Sequence, residues 1–318
     1  MEYRRLGKWG VKVSEISLGS WLTYGGSVED DMSSKLIHHA FDNGINFFDT
    51  ANIYYTGQAE EVVGKVLKGL RRSAIFLATK AFFPMDKGPN DRGLCRKHLF
   101  EQCHASLKRL QTDYIDLYQC HRPDPETPIE ETVRAMDDLC TQGKILYWGT
   151  SEWSAANLAD ACHIAHDGHF HPPVSNQPLY NMLVRRIEGE VLPLCEREGL
   201  GLVVFSPLAQ GVLTGKYVPG QAPPVGSRGA DDKSNIFMQD LLADEVLEKV
   251  QRLKPIAEGL GMTLAQMALA WCLRQPQVSS VIVGATKLSQ LDDNLKAVGV
   301  KLPPDALQAI DDVLGFGN

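Results

Sequence analysis

Short apolar, β-prone runs recur along the chain, and between them apolar residues return at the three-to-four spacing of a buried helix face. Eight runs read as strands: Ile16–Gly19, Asn46–Phe48, Ile75–Thr79, Ile115–Gln119, Leu146–Gly149, Val174–Asn176, Leu202–Phe205 and Val281–Val283. Helical patterns separate them, among them Asp31–Asn43, Glu60–Leu70, Lys97–Leu110, Pro128–Gln142 and Arg186–Arg197. Leu99, Cys103, Leu107 and Leu110 keep to one face of the third. Gly44, Gly143 and Gly199 follow three of the helices, where a left-handed cap favours glycine. Strands alternating with helices imply parallel pairing, because each crossover needs a helix. Eight such units in 318 residues fit an α/β fold of the closed (β/α)8 TIM-barrel type.

Two segments stand outside that repeat. Tyr3–Val13 reads as a β-hairpin turning around Gly7–Gly10, placed to plug the bottom of a barrel. The interval between the seventh and eighth strands is the longest, and Gly211–Asn235 within it is rich in glycine and proline. Such a segment inside a compact domain is usually a lid or binding loop. No internal repeat or linker divides the chain, so one domain over 1–318 is expected.

Composition narrows the function classes. The chain is 44% hydrophobic and 22% charged, with 32 basic and 39 acidic residues giving a formal charge of −7. That balance provides no general attraction to nucleic acid or to an anionic membrane. No apolar run approaches the roughly 20 residues that span a bilayer. Met1-Glu2-Tyr3-Arg4-Arg5 is not followed by the apolar stretch of a secretory signal, so a cytoplasmic location is expected. The seven cysteines are scattered with no Cys-x-x-Cys pair, which points to reduced thiols. His163, His166, His169 and His171 lack a completing set of ligands, and no metal site is expected. Gly-x-Gly-x-x-Gly is absent. Gly211-Val-Leu-Thr-Gly-Lys216 is one residue short of a P-loop and is followed by Tyr217 rather than Ser or Thr.

The active site of a (β/α)8 barrel lies at the C-terminal ends of its strands. Asp49, Lys80, His121, Ser151, Gln177 and Ser206 stand at six of those ends, and Tyr54 follows in the loop after the second strand. Taken singly, Asp49 could be a helix N-cap, Lys80 a surface residue and His121 a structural histidine; their convergence points to chemistry. A phenol of pKa about 10 is a weak acid at neutral pH. A neighbouring Lys80 ammonium, held by Asp49, is expected to stabilise the phenolate and make Tyr54 a better proton donor. A neutral His121 would orient a carbonyl and stabilise the developing alkoxide. The set suits proton transfer coupled to hydride transfer.

Asp49-Thr-Ala-Asn-Ile-Tyr54, Ala78-Thr-Lys80, Asp116-Leu-Tyr-Gln-Cys-His121, Gly149-Thr-Ser151 and Gln177-Pro-Leu-Tyr180 resemble the aldo-keto reductase superfamily, from the N-terminal hairpin to about Leu314. Arg122–Met136, Tyr147–Ser151 and Ser206–Gly211 are similar to the subgroup related to β subunits of voltage-gated potassium channels. The resemblance implies an NADP-dependent oxidoreductase that reduces aldehydes or ketones with NADPH, with a catalytic tetrad of Asp49, Tyr54, Lys80 and His121. It implies that Ser151 and Gln177 hold the nicotinamide carboxamide and that Tyr180 stacks on the ring. Ser206, Pro207, Leu208, Gly211, Lys216 and Tyr217 would cradle the pyrophosphate, with Arg228 on the covering loop. Gly284, Thr286, Gln290, Asp293 and Asn294 would surround the adenosine end. Trp21, grouped with the cofactor residues, would help wall the substrate pocket; with Tyr55, Phe82 and Phe83 it suggests an apolar or aromatic lining.

Glu152 departs from the asparagine or arginine more usual after Ser151 and is left outside the site. Lys287 stands near where many members carry an arginine for the adenosine phosphate; it keeps the charge without the bidentate fork. The same resemblance implies an alternative, a channel-associated or redox-sensing subunit that binds NADPH with little turnover. His121, where channel subunits typically carry asparagine, favours the reductase. The expected partner is a small-molecule carbonyl compound, and homo-oligomerisation is compatible with the resemblance.

Overall fold

Alternation along the strands sorts the apolar side chains into two cores, one inside a barrel and one around it. The computed structural model describes residues 1–21, 24, 30–231, 235 and 238–316; positions 232–234 of the long irregular segment lie outside them. Eight parallel strands, β3 (Ile16–Gly19), β4 (Phe47–Asp49), β5 (Phe76–Ala81), β6 (Ile115–Cys120), β7 (Ile145–Ser151), β8 (Ser175–Gln177), β9 (Gly201–Val204) and β10 (Val278–Val283), close in the order β10-β3-β4-β5-β6-β7-β8-β9. Around them run α1 (Asp30–Asp42), α2 (Gln58–Leu67), α3 (Arg96–Leu110), α4 (Ile129–Thr141), α5 (Ala155–Asp167), α6 (Val191–Glu198), α7 (Asp244–Gly259), α8 (Leu264–Leu273), α9 (Leu288–Leu295) and α10 (Pro304–Leu314). This is the expected (β/α)8 architecture.

Phe47, Phe76, Ala78, Leu117, Val203 and Ile282 point inward and form the lower barrel core. Their neighbours of opposite parity, Phe48, Leu77, Tyr118, Trp148, Leu202 and Val281, point outward against the helices. On α3, Leu99, Cys103, Leu107 and Leu110 are all buried, as their spacing requires. Gly64 of α2 allows a close approach to α3: a Cβ there would lie 2.5 Å from the Leu110 Cα.

Strand ends differ from the sequence reading: β9 stops at Val204, one residue before the expected Phe205, while others run on. β4, β5, β7 and β8 run on to Asp49, Lys80 and Ala81, Ser151 and Gln177. A hydrophobic pattern stops short of these polar residues, yet they continue the ladder because their side chains find partners inside the barrel. The expected helix Arg186–Arg197 divides into a 3-10 turn at Arg186–Glu188 and α6, with Gly189 between them. Pro193 fits the first turn of a helix, where no N–H is required, and would break an interior.

The N-terminal hairpin pairs β1 (Tyr3–Arg5) with β2 (Lys12–Ser14) in antiparallel register. Leu6 and Val13 are fully buried in the inner core, and Trp9 and Val11 pack beneath them. Gly7, at φ +59°, lies so close to the Gly199–Gly201 backbone that a Cβ would fall 2.2 Å from the Gly199 carbonyl oxygen. Arg4 Nη1 donates to the Val278 carbonyl at 2.9 Å and Ser279 Oγ to that of Arg5 at 2.9 Å. The bottom of the barrel is therefore stoppered. Leu6→Ala should remove about 2–5 kcal/mol of stability, read as a lowered urea midpoint at constant slope; a midpoint unchanged from wild type would show that the hairpin contributes nothing to the core.

Candidate active site

The inward parity that builds the lower core continues upward into polar residues. Asp49 follows Phe47, Lys80 follows Phe76 and Ala78, and Gln119 and His121 follow Leu117. Lys80 is fully enclosed and Asp49 nearly so. The Lys80 Nζ donates to Asp49 Oδ1 at 2.5 Å and to the Thr50 carbonyl at 2.8 Å. The other carboxylate oxygen, Asp49 Oδ2, accepts from Gln177 Nε2 at 2.9 Å and from Gln119 Nε2 at 3.3 Å. A buried ion pair is tolerated when its remaining donors and acceptors are satisfied in this way.

Tyr54 is set by a strained turn. Its N–H donates to the Ala51 carbonyl, and Asn52 N–H to that of Lys80 at 3.1 Å. Tyr55, Thr56 and Gly57 follow with positive φ of 46°, 51° and 93°. Two consecutive non-glycine residues in that region cost of order 1–3 kcal/mol each and persist where surrounding structure demands them. The turn brings the Tyr54 ring to 5.3 Å from Lys80 Nζ and edge-on to the His121 ring at 5.8 Å. Phe83 closes the other side of the imidazole at 4.9 Å, with Phe82 behind it at 5.2 Å. Asp49, Tyr54, Lys80 and His121 therefore meet at one rim.

The electrostatics correct one expectation. Burial raises the Tyr54 hydroxyl well above the ordinary phenol range, Asp49 pushes it further up, and Arg122 opposes this weakly. Burial moves the Lys80 ammonium itself downward, against the pull of Asp49 at hydrogen-bond distance. Burial, reinforced by Lys80 and Arg122, drives His121 well below its usual value, so the imidazole is neutral. Its Nδ1 is enclosed without a partner, which leaves Nε2 as the ring nitrogen to meet a ligand.

Ser151 Oγ donates to the Gln177 carbonyl at 2.9 Å, and both side chains face the mouth beside Asp49. Tyr180 does not: its ring packs 5.1 Å from Trp271 of α8, and its hydroxyl is shared between Glu188 and Arg274. A count by two from Gln177 puts Leu179 inward and Tyr180 outward. The same count from Val203 puts Phe205 inward, and Phe205 packs on the inner core. It is the aromatic side chain that the sequence reading overlooked.

The loop after β9 forms a strap. Ser206, Ala209, Gln210 and Gly211 have φ of 52°, 46°, 58° and 94°, and Asn181 Nδ2 donates to the Ser206 carbonyl at 3.0 Å. Pro207 and Leu208 lie within this bend, from which Leu208 packs on the outer core. Arg228 hydrogen-bonds Gln210 and stands 5.7 Å over the Trp21 ring, tying the strap to the loop after β3. Lys216 is exposed, and a Cβ on Gly211 would sit 3.3 Å from its Nζ. Tyr217 is buried and its hydroxyl accepts from the Gly229 N–H at 3.1 Å, so it holds the strap rather than lining its open face. After β10, Gly284, Thr286, Lys287 and Gln290 are exposed around the start of α9. Gln290 Oε1 accepts from the Thr286 N–H at 2.8 Å. Asp293 braces α8 through Thr263 and Gln266, and Asn294 is buried. Cationic side chains, exposed backbone donors and a helix start along one rim suit a ligand rich in phosphate.

Two polar residues beside the mouth were not assigned a role from sequence. Arg122 donates through Nη1 to the His121 carbonyl at 2.6 Å and to Ser151 Oγ at 3.3 Å. Glu152, at φ 58°, accepts the Leu179 N–H at 2.6 Å and pairs with Arg186. Its carboxylate is thus neutralised locally. Among the described residues no group of three or more His, Cys, Asp or Glu side chains could hold a metal ion, and all seven cysteines are free. Among them, too, no single helix is long and apolar enough to cross a membrane.

A family model described as "Aldo/keto reductase family" matches residues 15–314. An Arabidopsis thaliana protein named "Probable voltage-gated potassium channel subunit beta" is 48% identical over 99% of this chain and 97% of its own length. A protein of the same name from Oryza sativa subsp. japonica is 45% identical over 99% and 97%.

The depressed His121 and elevated Tyr54 predict two flat titrations. The His121 ring, identified in NMR spectra with a His121→Gln variant, should show no protonation step as pH falls through the ordinary imidazole value of about 6.5. Tyr54, identified with Tyr54→Phe, should show no phenolate absorbance as pH rises through about 10. Ordinary midpoints for either would contradict the burial described above.

Proposed function

Because the chain belongs to the aldo/keto reductase family of oxidoreductases, we propose that it reduces aldehydes and ketones to alcohols with NADPH, Tyr54 serving as the general acid. The observation that carries this reading is the meeting of Tyr54, the Lys80–Asp49 pair and a neutral His121 at one barrel mouth.

Bound NADPH supplies the hydride. Ser151 and Gln177 are placed to orient the carboxamide, Phe205 offers the aromatic face for the ring in place of Tyr180, and Lys216, Arg228 and the start of α9 suit the phosphates. Lys287 adds a cation beside that helix start, which favours NADPH over NADH. The remaining steps fall to the side chains of the rim. Neutral His121 donates its Nε2 proton to a hydrogen bond with the substrate carbonyl, which fixes the oxygen and stabilises the alkoxide. The Tyr54 hydroxyl then gives its proton to that oxygen. A phenol is protonated over the whole neutral range, so Tyr54 has its proton to give. The Lys80–Asp49 pair positions the phenol and presents a fixed dipole, while Phe82, Phe83 and Tyr54 exclude water.

The names of the relatives favour a second reading, an NADPH-binding subunit of a potassium channel with slow turnover. Single-turnover oxidation of bound NADPH by an aldehyde separates the two: rapid loss of reduced cofactor supports the reductase, and cofactor that stays reduced despite tight binding supports the subunit. Tyr54→Phe should lower kcat by roughly 100- to 10,000-fold with NADPH Kd changed less than about twofold. Undiminished turnover across a carbonyl panel would remove Tyr54 as the acid.

A further inference from the structure

Arg122 is the charged group of the mouth that the proposed chemistry leaves unused. Its guanidinium is half-buried, and burial disfavours its charge more than any neighbour offsets. Of its five N–H donors, those on Nη1 are spent on the His121 carbonyl and on Ser151 Oγ. Both contacts fix the plane of the group. They leave the Nε–Nη2 edge, the side-on fork that pairs with a carboxylate through two parallel hydrogen bonds. Among the described residues no carboxylate takes that edge: Arg122 forms no salt bridge there, and nearby Glu152 is already engaged by Arg186 and by the Leu179 N–H. A half-buried cation whose nearest carboxylate, Glu152, is shared with Arg186 costs free energy that ligand charge would recover.

The surroundings place this fork beside the reacting group. The Arg122 guanidinium lies 5.6 Å from the Phe83 ring, and Phe83 in turn stands 4.9 Å from the His121 ring. Phe83 is thus an apolar surface in contact with both the guanidinium and the imidazole. Tyr54 is close enough for its charge state to be felt at Arg122. One cation, with Glu152 behind it, balances a single negative charge better than two.

We propose that Arg122 docks a carboxylate carried by the carbonyl substrate, so that the preferred substrates are oxo acids whose aldehyde or ketone lies across Phe83 from the acid group. The proposal rests on the reductase reading and deepens it. It is tested with 4-carboxybenzaldehyde and its neutral, near-isosteric counterpart 4-nitrobenzaldehyde, on wild type, Arg122→Gln and Arg122→Lys with NADPH. The ratio of kcat/KM for the carboxylated over the nitro substrate should fall roughly 10- to 100-fold in Arg122→Gln, mainly through KM, as expected for a lost charge-assisted pair. Arg122→Lys should recover part of that ratio, keeping the charge without the fork. An unchanged ratio overturns the proposal, whatever loss the two substrates share, since a common loss reports the contacts to His121 and Ser151. A rise in NADPH Kd as large as the loss of ratio also overturns it and assigns Arg122 to the cofactor.

Calorimetric titration of benzoate into the NADP+ complex keeps the two readings separable. Benzoate that binds wild type and fails to bind Arg122→Gln, in a protein that reduces neither aldehyde, would sink the reductase reading and keep the anion site. Turnover of both aldehydes without preference and without benzoate binding would do the reverse.

Discussion

A lysine ammonium and an aspartate carboxylate, shut inside the top of the barrel at 2.5 Å, set the terms for everything around them. Desolvating two charges costs several kcal/mol per ion, and the sequence meets that cost with the Thr50 carbonyl and with Gln177 and Gln119, so every partner is drawn from the ends of neighbouring strands. The pair staples β4 to β5, and its far oxygen reaches β6 and β8. The pair stiffens the mouth, and burial together with Asp49 moves the neighbouring Tyr54 hydroxyl upward.

Around this fixed centre, the strained backbone is confined to loops. Tyr55 and Thr56 on one side and Ser206, Ala209 and Gln210 on the other all occupy left-handed conformations, and both groups lie at the rim. The strands beneath contain none. The barrel provides the precision, and the rim loops take up the strain of presenting Tyr54 and the strap. Arg228 clasps the strap to Trp21 across the opening through a cation–ring contact and a hydrogen bond to Gln210, interactions weak enough to part and re-form.

The barrel was legible in the sequence because eight buried strands leave eight apolar runs, and the convergence of Asp49, Tyr54, Lys80 and His121 was legible because strand ends are where polar residues meet. Strand lengths were less so: hydrophobicity ends at Phe48, while the ladder goes on to Asp49 because the carboxylate finds its lysine. Tyr180 and Phe205 show the complementary failure. Identity of residue type suggested Tyr180 for the ring, whereas a period-two count from Val203 singles out Phe205 and turns Tyr180 toward Trp271. Arg122 has the outward parity that follows His121, and only its length lets it curl back to Ser151. Asp293, expected at the adenosine end, also braces α8 through Thr263 and Gln266, partners from a helix whose packing no local pattern reveals.

The plugged floor of the barrel carries a consequence for traffic. With Leu6, Val13 and the Gly7 turn sealing one end, molecules that meet beside His121 share a single doorway. The hairpin thus leaves the polar rim, on the opposite side of the molecule, as the way in to the barrel interior among the described residues.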